Sequence, residues 1–319
     1  MSKFTKIWLI IAASLVLIGA TIFAGVMSVL KWDFKFFSTT KFETNTYEIS
    51  ESYKNISVVT DTTDITFLPT ESEKTSVVCN EHQNLNHSVT VKDDTLTIEL
   101  VDSRAWYQYI GNFGGSSIEV YLPEKEYGAL SAKVTTGDIE LQKEFSFESI
   151  ELIGSTGDVY CSASASGKIN IKRSTGDIRL ENLCADSLDL SVSTGKINLS
   201  SVNAKNDISL RTTTGDIKLN EVTCKDLTSN GTTSDITLIG VVAESRFNIK
   251  TDTGDVSFDG CDASEIFVNT DTGYVKGSLL SDKIFFATTD TGKVEVPHST
   301  TGGKCEITTD TGDIKIYIQ

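Results

Sequence analysis

The sequence has 319 residues, of which 28 are basic and 44 acidic, giving a formal net charge of −16. A surface this negative repels nucleic acid and anionic lipid, so the composition excludes both as partners of the folded part. The chain holds 40 Thr but only 3 Pro and 2 Met, a composition that favours strands and turns over helices.

The first predicted element is a membrane-spanning helix over residues 7–30. These 24 residues carry no charge, and a run of that length crosses a bilayer. Trp8 and Trp32 stand near its ends, where interfacial aromatic residues belong. A cleavable signal peptide is the alternative, but the small Ala24 lacks a small residue two positions before it, as a cleavage site requires. An uncleaved anchor is favoured.

The charges that flank this helix decide its predicted orientation. Lys3 and Lys6 favour an amino terminus inside the cell. Three lysines on the far side oppose this (Lys31, Lys35 and Lys41). An amino-terminal anchor ahead of a long domain usually acts as an export signal, so we expect a single-pass protein of the cell membrane. Residues 1–6 would lie in the cytoplasm and the carboxyl-terminal domain outside it.

Residues 46–129 are predicted to form an irregular β-rich cap after a juxtamembrane linker over 31–45. Four short runs read as strands, and Asp93-Asp94 between two of them suits a hairpin turn. The runs are Ser76–Cys79, Ser88–Lys92, Thr95–Val101 and Ser117–Leu122. An aromatic, glycine-rich loop from Trp106 to Gly115 is interpreted as a lid over the end of the fold, with a sugar, peptide or membrane contact as the alternative.

Residues 130–319 consist of a repeat of 19–20 residues. Its marker is Thr-Gly-Asp or a close variant, with Gly at 137, 157, 176, 195, 215, 254, 273, 292 and 312 and Ser at 234. Thr precedes that position in all ten units, and Ile or Val follows two residues after it. Apolar residues recur at intervals of two within each unit, which is the spacing of strands. An irregular unit around Thr63 fits the same pattern.

The repeat predicts an all-β fold, a single-stranded parallel β-solenoid of about ten rungs. Each unit is too small to bury its own apolar face and must stack on its neighbours, with rungs about 4.8 Å apart. We expect a right-handed winding, because parallel crossovers have that hand. The Thr before each Gly is predicted to point inward, the Gly to adopt a positive φ, and the Asp after it to bond nearby N–H groups. The carboxyl end, residues 314–319, is predicted to be an uncapped edge open to end-to-end self-association.

The repeats resemble a known family. The stretch Ile118-Glu119-Val120-Tyr121-Leu122-Pro123 and the serial Thr-Gly-Asp-Ile units after it are similar to the bacterial "putative adhesin" β-strand-repeat family. The resemblance covers residues 45–319 and implies an anchored, envelope-associated protein without catalytic residues. Some members of that family are linked to envelope-stress operons.

Asp-Thr-Gly occurs four times, beginning at Asp252, Asp271, Asp290 and Asp310. Aspartic proteases use such a triplet in a facing pair, but here it repeats at the period of one ladder, so a structural turn is the better interpretation. These four Asp fall on the outward parity of the strands and, stacked, would repel one another. Together with Asp255 and Asp313 they are predicted to bind Ca²⁺ weakly; a solvated acidic face is the alternative.

The cysteines and histidines suggest little chemistry. Cys79, His82 and His87 could hold a soft metal, but their spacing is not that of a known site, and a loop between strands is the favoured interpretation. The six Cys include no CxxC pair and are predicted to be reduced and packed as small apolar residues.

We therefore expect a non-enzymatic, membrane-anchored surface protein that acts as an adhesin or envelope scaffold, with no cofactor apart from Ca²⁺ at the acidic turns. Its partner would be a cell-envelope component or a membrane protein. Two alternatives stay open: an accessory binding protein in envelope-stress signalling, and a Ca²⁺-dependent polysaccharide-active β-helix enzyme.

Overall fold

The structure is a computed structural model that describes residues 2–29, 32, 42–82, 85–102 and 115–319. These residues form one helix and 25 strands. In chain order they are α1 (Lys3–Val29), β1 (Phe42–Ile49), β2 (Asn55–Thr70), β3 (Thr75–His82), β4 (Leu85–Lys92), β5 (Thr95–Asp102), β6 (Ser116–Pro123), β7 (Glu126–Thr136), β8 (Ile139–Leu141), β9 (Ser146–Thr156), β10 (Val159–Cys161), β11 (Ser164–Ala165), β12 (Lys168–Thr175), β13 (Ile178–Ala185), β14 (Ser187–Thr194), β15 (Ile197–Ala204), β16 (Asp207–Thr214), β17 (Ile217–Asn230), β18 (Ile236–Ile239), β19 (Val242–Thr253), β20 (Val256–Thr272), β21 (Val275–Leu279), β22 (Lys283–Thr291), β23 (Val294–Glu295), β24 (Gly303–Thr311) and β25 (Ile314–Ile318).

Each repeat unit forms one rung of a parallel β-solenoid, as predicted. In the rung of Gly176, the residues Ile169 and Ile171 of β12 and Ile178 of β13 are fully buried. Ile169 pairs with Ile150 on one side and with Leu188 on the other, so like columns stack along the rod. Because each inward column is apolar at nearly every rung, the buried side chains merge into one continuous core.

Glycine is required at the turn because the turns of neighbouring rungs touch. Gly176 has a φ of 129°, which side chains rarely tolerate. A Cβ built there would overlap the carbonyl oxygen of Gly157 on the adjacent rung. The same overlap recurs at Gly137 with the carbonyl of Thr63, so the irregular unit around Thr63 is a rung of the solenoid. The positive φ predicted for this column is confirmed at eight of its nine glycines, all but Gly273.

The amino-terminal strands cover one end of the solenoid, as predicted. Strands β5 and β6 pair in parallel with β2 and complete a layer above the rung of Thr63. Strands β4 and β3 then pair antiparallel with β5 and β6, and β1 pairs antiparallel with β3. Asp93 and Asp94 form the predicted hairpin turn, with φ values of 48° and 58°.

The far end departs from the simple prediction, because the rungs do not stack in chain order. Strand β24 pairs with β20 on one side and with β22 on the other, and β25 likewise lies between β21 and β23. The last repeat, Gly303 to Ile318, is therefore inserted between the two repeats that precede it. The predicted open edge at residues 314–319 is wrong; the rung of Gly292 stands at the end instead.

A buried lysine lies at the corner where the order changes. Lys283, the first residue of β22, is 3% exposed, and its Nζ lies 2.6 Å from Asp262 Oδ1. Gly303 pairs with Lys283 in the register, and a Cβ on Gly303 would overlap the backbone of Ser264 on its other side. The missing side chain lets the lysine reach past the inserted rung to Asp262, which ties the terminal rung to β20.

Helix α1 is the one candidate membrane span among the described residues. Its segment Phe4–Val29 has 26 residues, is long and apolar enough to cross a membrane, and has a most apolar stretch that is not buried against the rest of the protein. A signal sequence meets the same criteria.

Candidate functional site

The turns carry a ladder of carboxylates that bond from rung to rung. Asp138 Oδ1 accepts a hydrogen bond of 2.7 Å from the backbone N–H of Asp158, the equivalent residue one rung away. Seven such bonds occur among the described residues, from Asp64, Asp138, Asp158, Asp177, Asp235, Asp255 and Asp313. The predicted role of the Asp after Gly is confirmed, and this column is part of the scaffold.

The four Asp of the Asp-Thr-Gly triplets form a second row on the outer side of the turns. Asp252 is half-buried, whereas Asp271, Asp290 and Asp310 are exposed. Their order along the rod is 252, 271, 310, 290, because the last repeat is inserted. They follow one another in a single ladder and do not face one another across a cleft, so the arrangement is unlike that of an aspartic protease pair.

The other two predicted ligands are already engaged. Asp255 Oδ1 accepts the N–H of Tyr274 at 2.9 Å, and its Oδ2 lies 3.7 Å from Lys276 Nζ. Asp313 Oδ1 accepts the N–H of Lys293 at 2.8 Å. Each therefore has one oxygen held by the backbone of the next rung. Weak Ca²⁺ binding by the six Asp stays a prediction, resting on the exposed row of the triplets.

The threonine whose hydroxyl bonds the backbone of the turn is not the one that was predicted. All ten Thr before the Gly position are exposed. The residue three before Gly points inward instead, and Thr251, Thr270 and Thr309 at that position are at most 1% exposed. Thr309 Oγ1, for example, donates to the carbonyl of Gly273 at 3.1 Å. Alternate residues point inward only up to the residue three before Gly, where the strand ends and the turn begins. The prediction that the Thr directly before Gly also points inward was therefore wrong.

Within the described residues, the three metal-ligating side chains that gather within 4.8 Å of one another are Cys79, Glu81 and His87. All three are buried in the cap. Alternation along β3 puts Cys79 and Glu81 on the inner face, and His87 reaches them from β4. The sequence had suggested His82 in place of Glu81; His82 lies on the opposite parity, with its ring edge-on to Phe42.

Hydrogen bonds account for the geometry of this cluster. Glu81 Oε2 lies 2.6 Å from His87 Nδ1 and accepts the His87 backbone N–H at 2.6 Å, while Glu81 Oε1 accepts Asn45 Nδ2 at 2.8 Å. On its other side, His87 Nε2 lies 2.8 Å from Thr60 Oγ1. Both carboxylate oxygens and both ring nitrogens thus have partners. Burial and the nearby Glu81 raise the pKa of the Cys79 thiol to about 12, which disfavours the thiolate a metal would need.

A chain of hydroxyl groups continues from His87 into the first rung. Thr60 Oγ1 lies 2.9 Å from Thr63 Oγ1, which lies 2.6 Å from Ser116 Oγ. Ser116 Oγ donates its only proton to the carbonyl of Thr62 at 2.7 Å. Each hydroxyl before it must therefore donate toward Ser116, so His87 Nε2 donates to Thr60. The remaining contact of the ring, between His87 Nδ1 and Glu81 Oε2, is a hydrogen bond that needs one proton between these two atoms.

Sequence reasoning missed this network because the cap does not repeat. One member, Glu81, is a charged residue at a strand position that points inward. The threonines match repeat positions near the turn, so they gave no separate signal. A Glu two residues after a buried Cys, within an otherwise apolar alternating strand, is the signal that could have revealed it. The arrangement of Thr60, His87 and Glu81 has the order of a catalytic triad, but Thr60 is 5% exposed and is already bonded to Thr63. The network fixes the cap on the first rung.

The cysteines are free thiols, and five of the six are buried. Burial raises the pKa of Cys161, Cys224 and Cys305 to about 12. Cys184 is exposed. The predicted packing as small apolar residues therefore holds for every cysteine but Cys184. The aromatic loop predicted as a lid lies outside the described residues, apart from Gly115.

The sequence matches the family described as Toastrack DUF4097 over residues 53–206 and again over 203–319. This match confirms the family resemblance predicted from the repeats. None of the curated proteins matches the chain.

The solved structures that are similar to the chain include the following three. A "putative adhesin" from Bacteroides fragilis is 18% identical, with 87% of this chain and 97% of that one covered and a TM-score of 0.43. A "putative lipid binding protein" from Parabacteroides distasonis is 14% identical, with 86% and 97% covered and a TM-score of 0.47. A "putative adhesin" from Parabacteroides merdae is 14% identical, with 87% and 96% covered and a TM-score of 0.46.

Proposed function

This chain belongs to the Toastrack DUF4097 family, and we propose that it is a non-enzymatic surface protein of the bacterial cell envelope. In this proposal α1 stays in the cytoplasmic membrane as an uncleaved anchor, and the solenoid stands on the outer side as a rigid rod. The rod serves in adhesion or as a scaffold for another envelope component.

The observation that carries the proposal is that one chain contains both an exposed apolar helix and a continuous β-rod. The apolar side chains in the most apolar stretch of α1 are not covered by the rest of the protein, so an apolar surrounding such as lipid would stabilise them. The rungs behind it share one core, and backbone ladders join each rung to the next. A rod built this way presents an extended surface along its length.

The surface of the rod suits repeated weak contacts better than one tight site. Exposed Thr side chains recur at each turn from Thr136 to Thr311, at a spacing of about 4.8 Å. Partners that present several matching groups would gain affinity through multivalency. Because the chain is strongly acidic, a neutral or basic partner in the envelope is favoured over anionic lipid.

Protease treatment of intact cells tests the location. A tag after Gln319 should be removed from intact cells, while a cytoplasmic control protein should survive until the cells are opened. Protection of the tag in intact cells would overturn the proposed orientation. Recovery of peptides from residues 7–29 in the membrane fraction would identify α1 as an anchor, and their loss from the mature protein would identify a signal sequence.

Crosslinking in living cells then separates the two binding roles. Adhesion or scaffolding predicts crosslinks to wall polymers or to another cell, whereas the signalling role predicts one membrane-protein partner. An assay for release of reducing sugars from envelope polysaccharides tests the enzymatic alternative, and activity above that of a heat-treated sample would contradict a non-enzymatic role.

A further inference from the structure

The end of the solenoid opposite the cap presents a free strand. In the described residues, β22 pairs with β24 alone and β23 with β25 alone. One edge of each strand therefore has backbone N–H and C=O groups without a ladder partner, which is a template for another extended chain.

The same rung exposes apolar side chains that are buried elsewhere in the rod. Phe247 and Ile266 are fully buried in inner rungs, but Phe285 in the same column is only half-buried. Val294 is 42% exposed, although its equivalents Val275 and Ile314 are fully buried, and Phe286 on the outer face of β22 is 55% exposed. The terminal rung thus has apolar residues at the core positions of the repeat, but no further rung covers their outer side.

The central part of β22, between the buried Lys283 and Asp290, lacks the usual protections of an edge strand. From Ile284 to Thr289 the strand has no charged residue, no Pro and no Gly, although charges and prolines are the common means of keeping edges apart. The outermost strand at the cap, β1, differs because it carries Glu43 and Glu48. The two ends of the rod are therefore chemically unlike, and the open one has no charge along the centre of its edge strand.

The charge of the terminal rung also permits two copies to meet there. The buried Lys283 is already paired with Asp262, and residues 284–302 hold one lysine, Lys293, and two acids, Asp290 and Glu295. This part of the rung therefore carries a net charge of only −1, in a chain whose net charge is −16. Two copies that meet at these ends bring their least repulsive surfaces together, whereas contact along the acidic turns would be opposed.

We propose that β22 pairs antiparallel with β22 of a second copy, joining two rods tail to tail. A register centred on Ala287 places Phe285 opposite Thr289 and Ile284 opposite Asp290. Residues that point into the core of one copy are then paired with residues that point into the core of the other. Like charges are not opposed in this register. The contact is two-fold symmetric and closes at two copies. A head-to-tail filament is disfavoured, since the other end is covered by β1 and its glutamates.

Sedimentation equilibrium of the full chain in density-matched detergent tests the pairing. The wild type is expected to show a concentration-dependent dimer with twice the protein mass of the monomer. Phe286→Lys should give a monomer, since it places a charge on the free edge. Val242→Lys is the matched control, because Val242 is 38% exposed on an inner rung, and it should dimerise like the wild type.

A disulfide test fixes the register. In a Cys184→Ser background, Ala287→Cys should crosslink to its mate under mild oxidation, whereas Val242→Cys should not. Circular dichroism melting of each variant checks that the fold is retained. A monomeric wild type would overturn the proposal. A dimer that survives Phe286→Lys would assign the contact to α1 or another face and would overturn it as well, and so would an open-ended series of oligomers.

Discussion

The carboxylate of Asp138 accepts the backbone N–H of Asp158 at 2.7 Å, so one repeat unit satisfies a polar group of the next. Replacing Asp138 with Ala removes the acceptor, and we expect a loss of about 1 kcal/mol in the free energy of unfolding. Asp138→Asn keeps an acceptor and removes a like charge from the ladder, so it should match or exceed the wild type. Urea unfolding followed by circular dichroism measures both. Equal losses for Ala and Asn would contradict the role assigned to the hydrogen bond.

The buried Glu81–His87 pair should be costly to disrupt. Glu81→Gln keeps the shape but puts an amide where the proton is shared, and removing one partner of a buried pair costs about 3–5 kcal/mol. Glu48→Gln is the control, because the Glu48 side chain is 72% exposed and should change stability by less than about 0.5 kcal/mol. Thermal melting compares them. A Glu81→Gln variant as stable as the control would show that the network does not hold the cap.

The buried cysteines predict a loss of stability in alkali. Below pH 9.0 the thiols are protonated in both the folded and the unfolded chain. As the pH rises further the unfolded thiols ionise, but those of Cys161, Cys224 and Cys305 do not until about pH 12. The unfolded state is therefore favoured between these values, by about 1.4 kcal/mol per pH unit for each thiol.

Cys161→Ala should make this alkaline slope shallower by one proton, measured as urea midpoints at a series of pH values. An unchanged slope would contradict the assignment. In the native protein near pH 8, an alkylating reagent should modify Cys184 alone, and intact mass should show one added group before unfolding and six after it.

The inserted last repeat predicts which strands can be crosslinked. Ala287 pairs with Ile307, and Ile307 pairs in turn with Val268. Ala287→Cys/Ile307→Cys joins adjacent strands about 4.8 Å apart and should form a disulfide. Ala287→Cys/Val268→Cys joins strands two rungs apart, beyond the reach of about 7 Å, and should stay reduced. Peptide mapping distinguishes the pairs, and the reverse result would indicate stacking in chain order.

Calcium binding at the outer turns is tested by calorimetry. With Ca²⁺ at millimolar concentration, the wild type should release or absorb measurable heat and should melt at a higher temperature. Asp271→Asn/Asp310→Asn should reduce both effects, because these exposed residues are neighbours in the stack. Asp207→Asn, away from this row, is the control. No heat and no shift in the wild type would contradict the predicted site.

The repeat columns allowed most of the fold to be predicted, because a small unit with apolar residues two apart has few ways to bury them. The two-residue alternation of the strands does not continue into the turn. Thr136 and its equivalents point outward there, although alternation from the strand would place them inside. Stacking order was also beyond the sequence, since Phe285 and Cys305 occupy equivalent columns and either rung could lie against Ile266. The Glu81–His87 pair depends on long-range contacts between non-repeating strands, which no period reveals.

The position of the last repeat bears on how the chain reaches its final form. Through Gly273, each rung can dock on its predecessor as it leaves the ribosome or the export channel. The segment from Lys283 to Glu295 cannot, because its support is Gly303 to Ile318, which is synthesised later. The rungs up to Gly273 can thus stack in the order of synthesis. The last two stack in the reverse order, with the rung of Gly312 before the rung of Gly292. A chain stalled within the Gly292 unit would leave β22 without its native partner, and any temporary pairing with β20 would have to be undone once β24 is made.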